Sequence, residues 1–484
     1  HVFKPANTGA ISHLEVPTGE WQWPYDPKQV TTWTREYDSH KVEDHLFDRN
    51  TLHFGQATQT PWTKPPFSDI PFDGTGPIAD AILDGTSPYE PSEPHGKYIQ
   101  LLLDSPQAKL PTLPSDITAK DISNGFRVWK ETTSTSPSNR HLGHYKALVL
   151  RNNADVTTEA GQALEAKRKA LIRAHVCMIN YALTHAYSYQ RWKNVVNVMI
   201  EKEHGNSKVH RLRVIHLYEA DYNFMLQAKW RELIHHAEQR NDLHTGQYGS
   251  QPGRDAHIPT FIEELKNEIC YATCKSLINF DNDAASCYDH IIPALASLIG
   301  RKFGLHKNVV FVHAKTLAVT KYKLKTSMGV SDEFYANCQA FPIYGTGQGS
   351  GNSPAIWCIV SSVLFACHEE KGHGAYFCTP DKQMSVSLSM VGFVDDSTSQ
   401  VNEFELDSQP TPEFLRKIMQ QDAQLWSDLL WLSGGLLELN KCSFHQLHFD
   451  FDSDGRPMMR ASTYVLQGKL HFPLGKWIQP GDNI

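Results

Sequence analysis

The sequence predicts an α+β fold. Helical and strand-like segments alternate irregularly rather than in regular βαβ order. No internal repeat is visible. Hydrophobic residues make up 40% of the 484 positions, enough for a large core. Length alone suggests about two to four domains.

Residues 1 to about 120 are rich in Pro, Gly, Ser and Thr. "TPWTKPPFSDIPFDGTGP" and "TSPYEPSEPHG" read as extended segments and turns, so residues 1–120 are expected to be an N-terminal extension or linker. From about 158 to 190 apolar residues recur at helical spacing, which predicts a long amphipathic helix. "LRVIHL" reads as a short strand, followed by a helical run to about 240. "CKSLINF" (274–280) predicts a strand ending at Asp281 and Asp283. "PAIWCIVSSVLFACHEE" (354–370) is apolar enough for a buried helix, and "MSVSLSMVGFV" reads as one strand. A helix over 412–434 stops at Gly434-Gly435. "HFDFDSDGRPMMRASTYVLQGKLHF" predicts short strands joined at the "DSDG" turn.

Bulk properties exclude some classes. No apolar run approaches the roughly 20 residues that span a bilayer, and no basic-then-apolar leader is present. The chain begins at His1 rather than Met, as expected of a cut-out or processed fragment. Nine cysteines, an odd number scattered through a large chain, do not make a disulfide framework and fit a reducing compartment. The expected location is therefore intracellular, nuclear and/or cytoplasmic. The net charge of −7 counts against a dedicated nucleic-acid binder, unless positive charge is local or supplied by cations.

Two acidic strand ends carry the chemistry. In "VGFVDDSTSQ", Asp395 and Asp396 follow an apolar run; in "NFDNDAASCYDH", Asp281 and Asp283 lie two apart and so share one strand face. An isolated Asp-Asp is most simply a solvated turn. Two acidic strand ends meeting in one sheet could instead bind a pair of cations, as phosphoryl or nucleotidyl transfer requires. Between them lies "YGTGQGSGNSP", a glycine loop opening a helix. Its glycines permit close approach of a ligand or nucleic-acid strand, although a plain helix-entry loop has the same composition.

The order of these segments resembles the reverse transcriptase family, in particular the enzymes of non-LTR retrotransposons. "DAASCYD" looks like the first catalytic motif, "GQGSGNSP" like Q-G-x-x-x-S-P (Gln348, Gly349, Ser353, Pro354), "FVDD" like the aromatic-x-D-D motif, and "GGLLELNKC" like the following motif with Lys441. Upstream, "KVHRLRVIHLYEADYNFMLQAKW" resembles the fingers motif, with Lys208 and Arg213 as the triphosphate-holding candidates. "QYGSQPGRDA", with Arg254, and "SPSNRHLGHYKAL" resemble further fingers segments. The resemblance spans about residues 120 to 450.

The resemblance implies a right-hand polymerase: an antiparallel-sheet palm packed on helices, helical and β fingers, and a partial or missing thumb. The implied divisions are fingers over 121–260, palm over 261–450 with part of the fingers interleaved at about 305–345, and the end of the palm or start of a thumb over 451–484. It implies RNA-directed DNA polymerase activity with an RNA template, a DNA or RNA primer and dNTPs as partners, and no membrane. The implied cofactor is two Mg²⁺ ions, with Mn²⁺ able to take their place. Asp283 and Asp395 would hold the ions and Asp396 would support them. The extra acid Asp281 leaves the first ligand open, with Asp283 favoured because Tyr288 then falls at the family's sugar gate. Gln348 would contact the nascent base pair. Gly349, Ser353, Pro354 and Arg254 would contact template or primer, and Lys441 the leaving pyrophosphate. Phe393 stands where many members have Tyr. Competing readings are an RNA-dependent RNA polymerase, or a decayed or co-opted nucleic-acid-binding relative.

Other clusters carry bland readings. Cys367, His373 and Cys378 lack the C-x-x-C of a zinc knuckle. Cys270 and Cys274 read as core, His141 and His144 as structural or phosphate-facing, Cys287 as packing, and Trp426 and Trp431 as core.

Overall fold

A computed structural model describes residues 10–21, 25–55, 57, 60, 62, 65, 67–86, 110–130, 137–150, 156–338, 342–402, 411–465, 471–472 and 475–476. The "TSPYEPSEPHG" stretch after Thr86 and most of the chain beyond residue 465 lie outside them.

In chain order the elements used below are β1 (Leu14–Pro17), β2 (Trp33–Glu36), α1 (Ser39–Phe54), α2 (Glu159–His185), β3 (Asn194–Glu201) and β4 (Leu212–Leu217). Then follow α3 (Ala220–Gln239), α4 (His257–Thr273), β5 (Leu277–Asp283), β6 (Lys321–Thr326), α5 (Ser353–Lys371), β7 (Ala375–Cys378) and β8 (Ser385–Leu388). Last are β9 (Met390–Phe393), β10 (Asp396–Asn402), α6 (Pro412–Leu432), β11 (Ser443–Phe451) and β12 (Pro457–Val465). The fold is mixed α and β with largely antiparallel sheets, as the α+β reading expects.

The larger antiparallel sheet runs β9-β10-β5-β11-β12. Residues of β5 alternate between its two faces. Ile278, Phe280 and Asn282 face the helices, where Phe280 stacks on Phe444 and the Trp426 indole of α6 donates to Asn282 Oδ1 at 2.7 Å. Trp426 is thus core, as expected, with its one polar atom satisfied. Asn279, Asp281 and Asp283 take the other face. At the start of β5 that face is covered by α4 through a small apolar cluster of Cys270, Leu277, Ala375 and Phe377. Towards Asp283 it stays open.

The second sheet runs β4-β3-β6 and adds two-residue strands at Gly329–Val330 and Tyr335–Ala336. β3 pairs parallel with β6, so its two flanking strands run oppositely. One face of this sheet packs on α1, whose Val42, Leu46, Asn50 and Phe54 recur every four residues and are buried. Asp38 caps the helix by accepting from Lys41 N–H at 3.1 Å. The stretch read as extension therefore contains a helix built into the core.

Most sequence-read elements appear near their expected limits. One does not: "MSVSLSMVGFV" forms two strands, β8 and β9, broken at Ser389. β8 pairs with β7 while β9 pairs with β10, so the residues serve two sheets. Among the described residues no helix is long and apolar enough to cross a membrane.

Candidate functional site

The acidic pair sits in a hairpin, not along a strand. Phe393 pairs with Asp396, leaving Val394 and Asp395 as the two turn residues. Val394 has φ +61°, a left-handed conformation that is strained for a β-branched residue. Two contacts hold it there. The Trp357 indole donates to the Val394 carbonyl at 2.5 Å. Gly249 packs so close that a Cβ would lie 2.4 Å from Val394 N. Asp395 and Asp396 therefore differ by their places in a turn, not by alternation along one strand. Asp395 is half-buried at the turn tip, and Asp396 is exposed as the first residue of β10.

Ladder register brings Asp283 to this turn. Asp396 lies directly across from Asp283, and Ala284 N–H donates to the Asp395 carbonyl at 3.1 Å. Asp283 is 6% exposed and, with Asp395, lines a cavity of about 540 Å³. Burial is the chief influence on both carboxyls and pushes each above the usual aspartate range. Asp395 is raised further by the charges of Asp283 and Asp396. Lys441 works against the rise at Asp283, because its ammonium donates to the Asp283 carboxylate. The turn carrying Lys441 is stitched to the strand end: Glu438 N–H donates to the Asp283 carbonyl at 2.9 Å, and Ala285 N–H to that of Leu436 at 2.8 Å.

Asp281 does not join this cavity. It is one pleat repeat back on the same face, bonded to His445 at 3.0 Å and Thr398 Oγ1 at 2.9 Å, and it lines a separate hollow beside α4. Of the two acids left open by the sequence, Asp283 is the one facing Asp395.

The opposite wall is basic. Arg213, Arg211 and Lys202, at the adjoining ends of β4 and β3, line it with Arg49 of α1. Partial burial and then the charge of Arg49 lower the Lys202 pKa, a sign that these cations crowd one another. Lys208 lies elsewhere, its ammonium 4.9 Å over the Trp33 ring of β2. Glu15 of β1 pairs with Lys208 itself and with its neighbour Ser207, which draws Lys208 onto the N-terminal hairpin. Lys202, Arg211 and Arg49 are site residues that the sequence reading missed. Alternation along β3 and β4 carried a signal for Lys202 and Arg211, but none for Arg49.

Tyr288 and Gln348 complete the cavity. The glycine loop clamps onto the Tyr288 turn: Thr346 and Gly347 N–H donate to the Tyr288 carbonyl at 2.8 and 3.1 Å. Gly349 has φ +115°, and a Cβ there would lie 2.4 Å from the His216 carbonyl oxygen, so only glycine fits. Gly349, Ser353 and Pro354 line a second hollow with Trp129 and Arg231, and Tyr288 separates it from the first. Arg254 lies over the Tyr248 ring at 5.3 Å, outside both.

The other candidates are structural. His141 Nδ1 accepts from Gly143 N–H at 3.0 Å and caps a helix. His373 bonds Asp422 at 2.8 Å. Burial raises the Cys287 thiol, so it packs and does not attack.

Among the described residues, no three His, Cys, Asp or Glu side chains gather closely enough to hold a metal alone. Mg²⁺ at a phosphate-transfer site asks for less: one or two carboxylates, with substrate phosphates and waters completing the shell. Asp283 and Asp395 fit that donor set; Asp281 lines the separate hollow, and Asp396 is exposed directly across the ladder from Asp283. No family model matches the chain, and no curated protein matches it either.

Proposed function

We propose that the chain is an RNA-directed DNA polymerase, a reverse transcriptase of a retroelement of the non-LTR type. The observation that carries this reading is convergence. Asp283, Tyr288, Gln348, Asp395 and Lys441, taken from four separate motifs, line one cavity opposite Arg213. In this reading the β9–β12 sheet with β5 is the palm, and the β4-β3-β6 sheet belongs to the fingers.

Asp283 and Asp395 would hold the Mg²⁺ ions, which when bound lower the pKa of the primer 3′-OH and neutralise the triphosphate. Arg213, Lys202 and Arg211 receive the triphosphate through charge-assisted hydrogen bonds. Tyr288 lies between the two hollows, placed to pack beneath the sugar and disfavour a 2′-OH. The Gln348 side chain faces the nascent base pair. The Lys441 side chain is 63% exposed, so it can leave Asp283 and follow the departing pyrophosphate. Gly349, Ser353 and Pro354 face the template or primer strand from the second hollow.

The test is primer extension on an RNA template with Mg²⁺ and dNTPs. The wild-type chain extends the primer and Asp395→Ala does not. Equal activity, or equal inactivity, of the two proteins contradicts the reading. Preference for NTPs indicates an RNA-dependent RNA polymerase instead. Mg²⁺-insensitive binding without extension indicates a non-enzymatic nucleic-acid-binding protein.

A further inference from the structure

We infer that His53, on the N-terminal helix α1, is a positioning residue for the incoming nucleotide, acting through Asp289 on the main chain of Gln348. The inference rests on the polymerase reading above and assigns a task to a part of the chain outside the recognised motifs.

Asp289 follows Tyr288 in a single helical turn, Cys287–His290. It is 7% exposed, and a carboxylate so placed needs donors. It has two. Oδ2 lies 3.0 Å from His53 Nε2, and Oδ1 accepts the Gln348 N–H at 3.2 Å. His53, Asp289 and Gln348 all line the cavity. Burial, then the charges of Arg49 and Lys202, hold the His53 pKa well below that of a free imidazole. A neutral His53 therefore spends its single N–H on Asp289.

The peptide on the other side of the Gln348 Cα is also fixed. Its carbonyl accepts from His216 N–H of β4 at 2.7 Å. Gln348 is thus pinned by β4 through its carbonyl and by α1, through Asp289, at its N–H. Its side-chain amide has no hydrogen bond among the described residues and is left for a ligand. The C-terminus of α1 reinforces the arrangement, because the Phe54 carbonyl accepts Tyr344 N–H at 3.0 Å, at the start of the glycine loop. A counterion with a purely structural task would not need to sit on the peptide that aims Gln348.

The experiment measures binding of a fluorescent dATP analogue and steady-state primer extension, with full-length wild type, His53→Ala, His53→Gln and Asp289→Asn. In His53→Ala the dNTP Kd and KM rise about tenfold while kcat stays within about threefold, the loss of one hydrogen bond to a buried charge. His53→Gln places an amide N–H near Asp289 and restores Kd and KM to within about threefold of wild type. Asp289→Asn behaves like His53→Ala, since a neutral amide cannot hold both N–H groups as a carboxylate does. Melting temperatures are recorded alongside; if His53→Ala does not fold, His53→Gln and Asp289→Asn decide the matter. Unchanged KM in His53→Ala and Asp289→Asn, or a His53→Gln protein as impaired as His53→Ala, overturns the inference. If wild type extends primers and these variants match it in Kd and KM, the inference alone fails. If wild type neither binds dNTP nor extends, the polymerase reading falls with it.

Discussion

The acidic wall of the cavity comes from one sheet, whereas the basic wall is assembled from separate pieces of chain. Asp283 ends β5, and Asp395 tips the β9–β10 hairpin paired to it, so ladder register sets their relation. Arg49 arrives on α1, Lys202 directly follows β3, Arg211 directly precedes β4 and Arg213 is its second residue. The difference has a physical consequence. Two acids held by register have no substitutes, but several cations converging from different elements share the load. Loss of an acid should be absolute and loss of a cation partial.

The largest expected effects test the acidic wall. Asp395→Ala and Asp283→Ala should each lower primer extension by at least about a thousandfold, while exposed Asp396→Ala should cost about tenfold. Equal losses for Asp395 and Asp396 would break the asymmetry attributed to the turn. The basic wall should yield less. Arg213→Ala or Lys202→Ala should raise the dNTP KM about ten- to a hundredfold, as loss of one charged phosphate contact does. Lys208→Ala, over Trp33, should leave KM near wild type. A Lys208 variant worse than Lys202→Ala would mean the basic wall is misassigned.

Two smaller effects concern the supports beneath the acidic wall. Burial raises Asp428 of α6 to about 6, so the neutral acid is favoured in the fold. Its share of stability is present below the unfolded pKa near 4 and is lost as pH rises through about 6. Asp428→Asn should therefore be near-neutral at pH 4 and stabilising at pH 8, on the order of 2 kcal/mol by denaturant titration. Val394→Gly should relieve the turn and stabilise by about 1 kcal/mol, against the entropy cost of glycine. It should also lower kcat, because the strained residue fixes Asp395.

The acidic wall was legible in the sequence because each acid ends an apolar run and the ladder does the rest. The glycine loop was legible from its order between them. The hairpin turn was not, since "FVDD" looks like continuous strand and nothing in it announces a valine at positive φ. Lys202 and Lys208 both precede β4, and only the packing of β1 and β2 draws Lys208 away from the cavity. Helix α1 was hidden for a related reason. Its inward face carries buried Arg49 and Asn50 and half-buried His53, and these polar residues interrupt the apolar period by which a helix is read. Two of the residues that disguise the helix, Arg49 and His53, are those it brings to the cavity.

The central claim is that Asp283 and Asp395 act together as cation ligands opposite a triphosphate. The most direct measurement is Mn²⁺ binding in the presence of dNTP, followed by electron paramagnetic resonance for wild type, Asp283→Asn and Asp395→Asn. Binding should weaken at least about tenfold in each variant, as loss of one of two carboxylate ligands implies. Wild-type affinity in both variants would contradict the account.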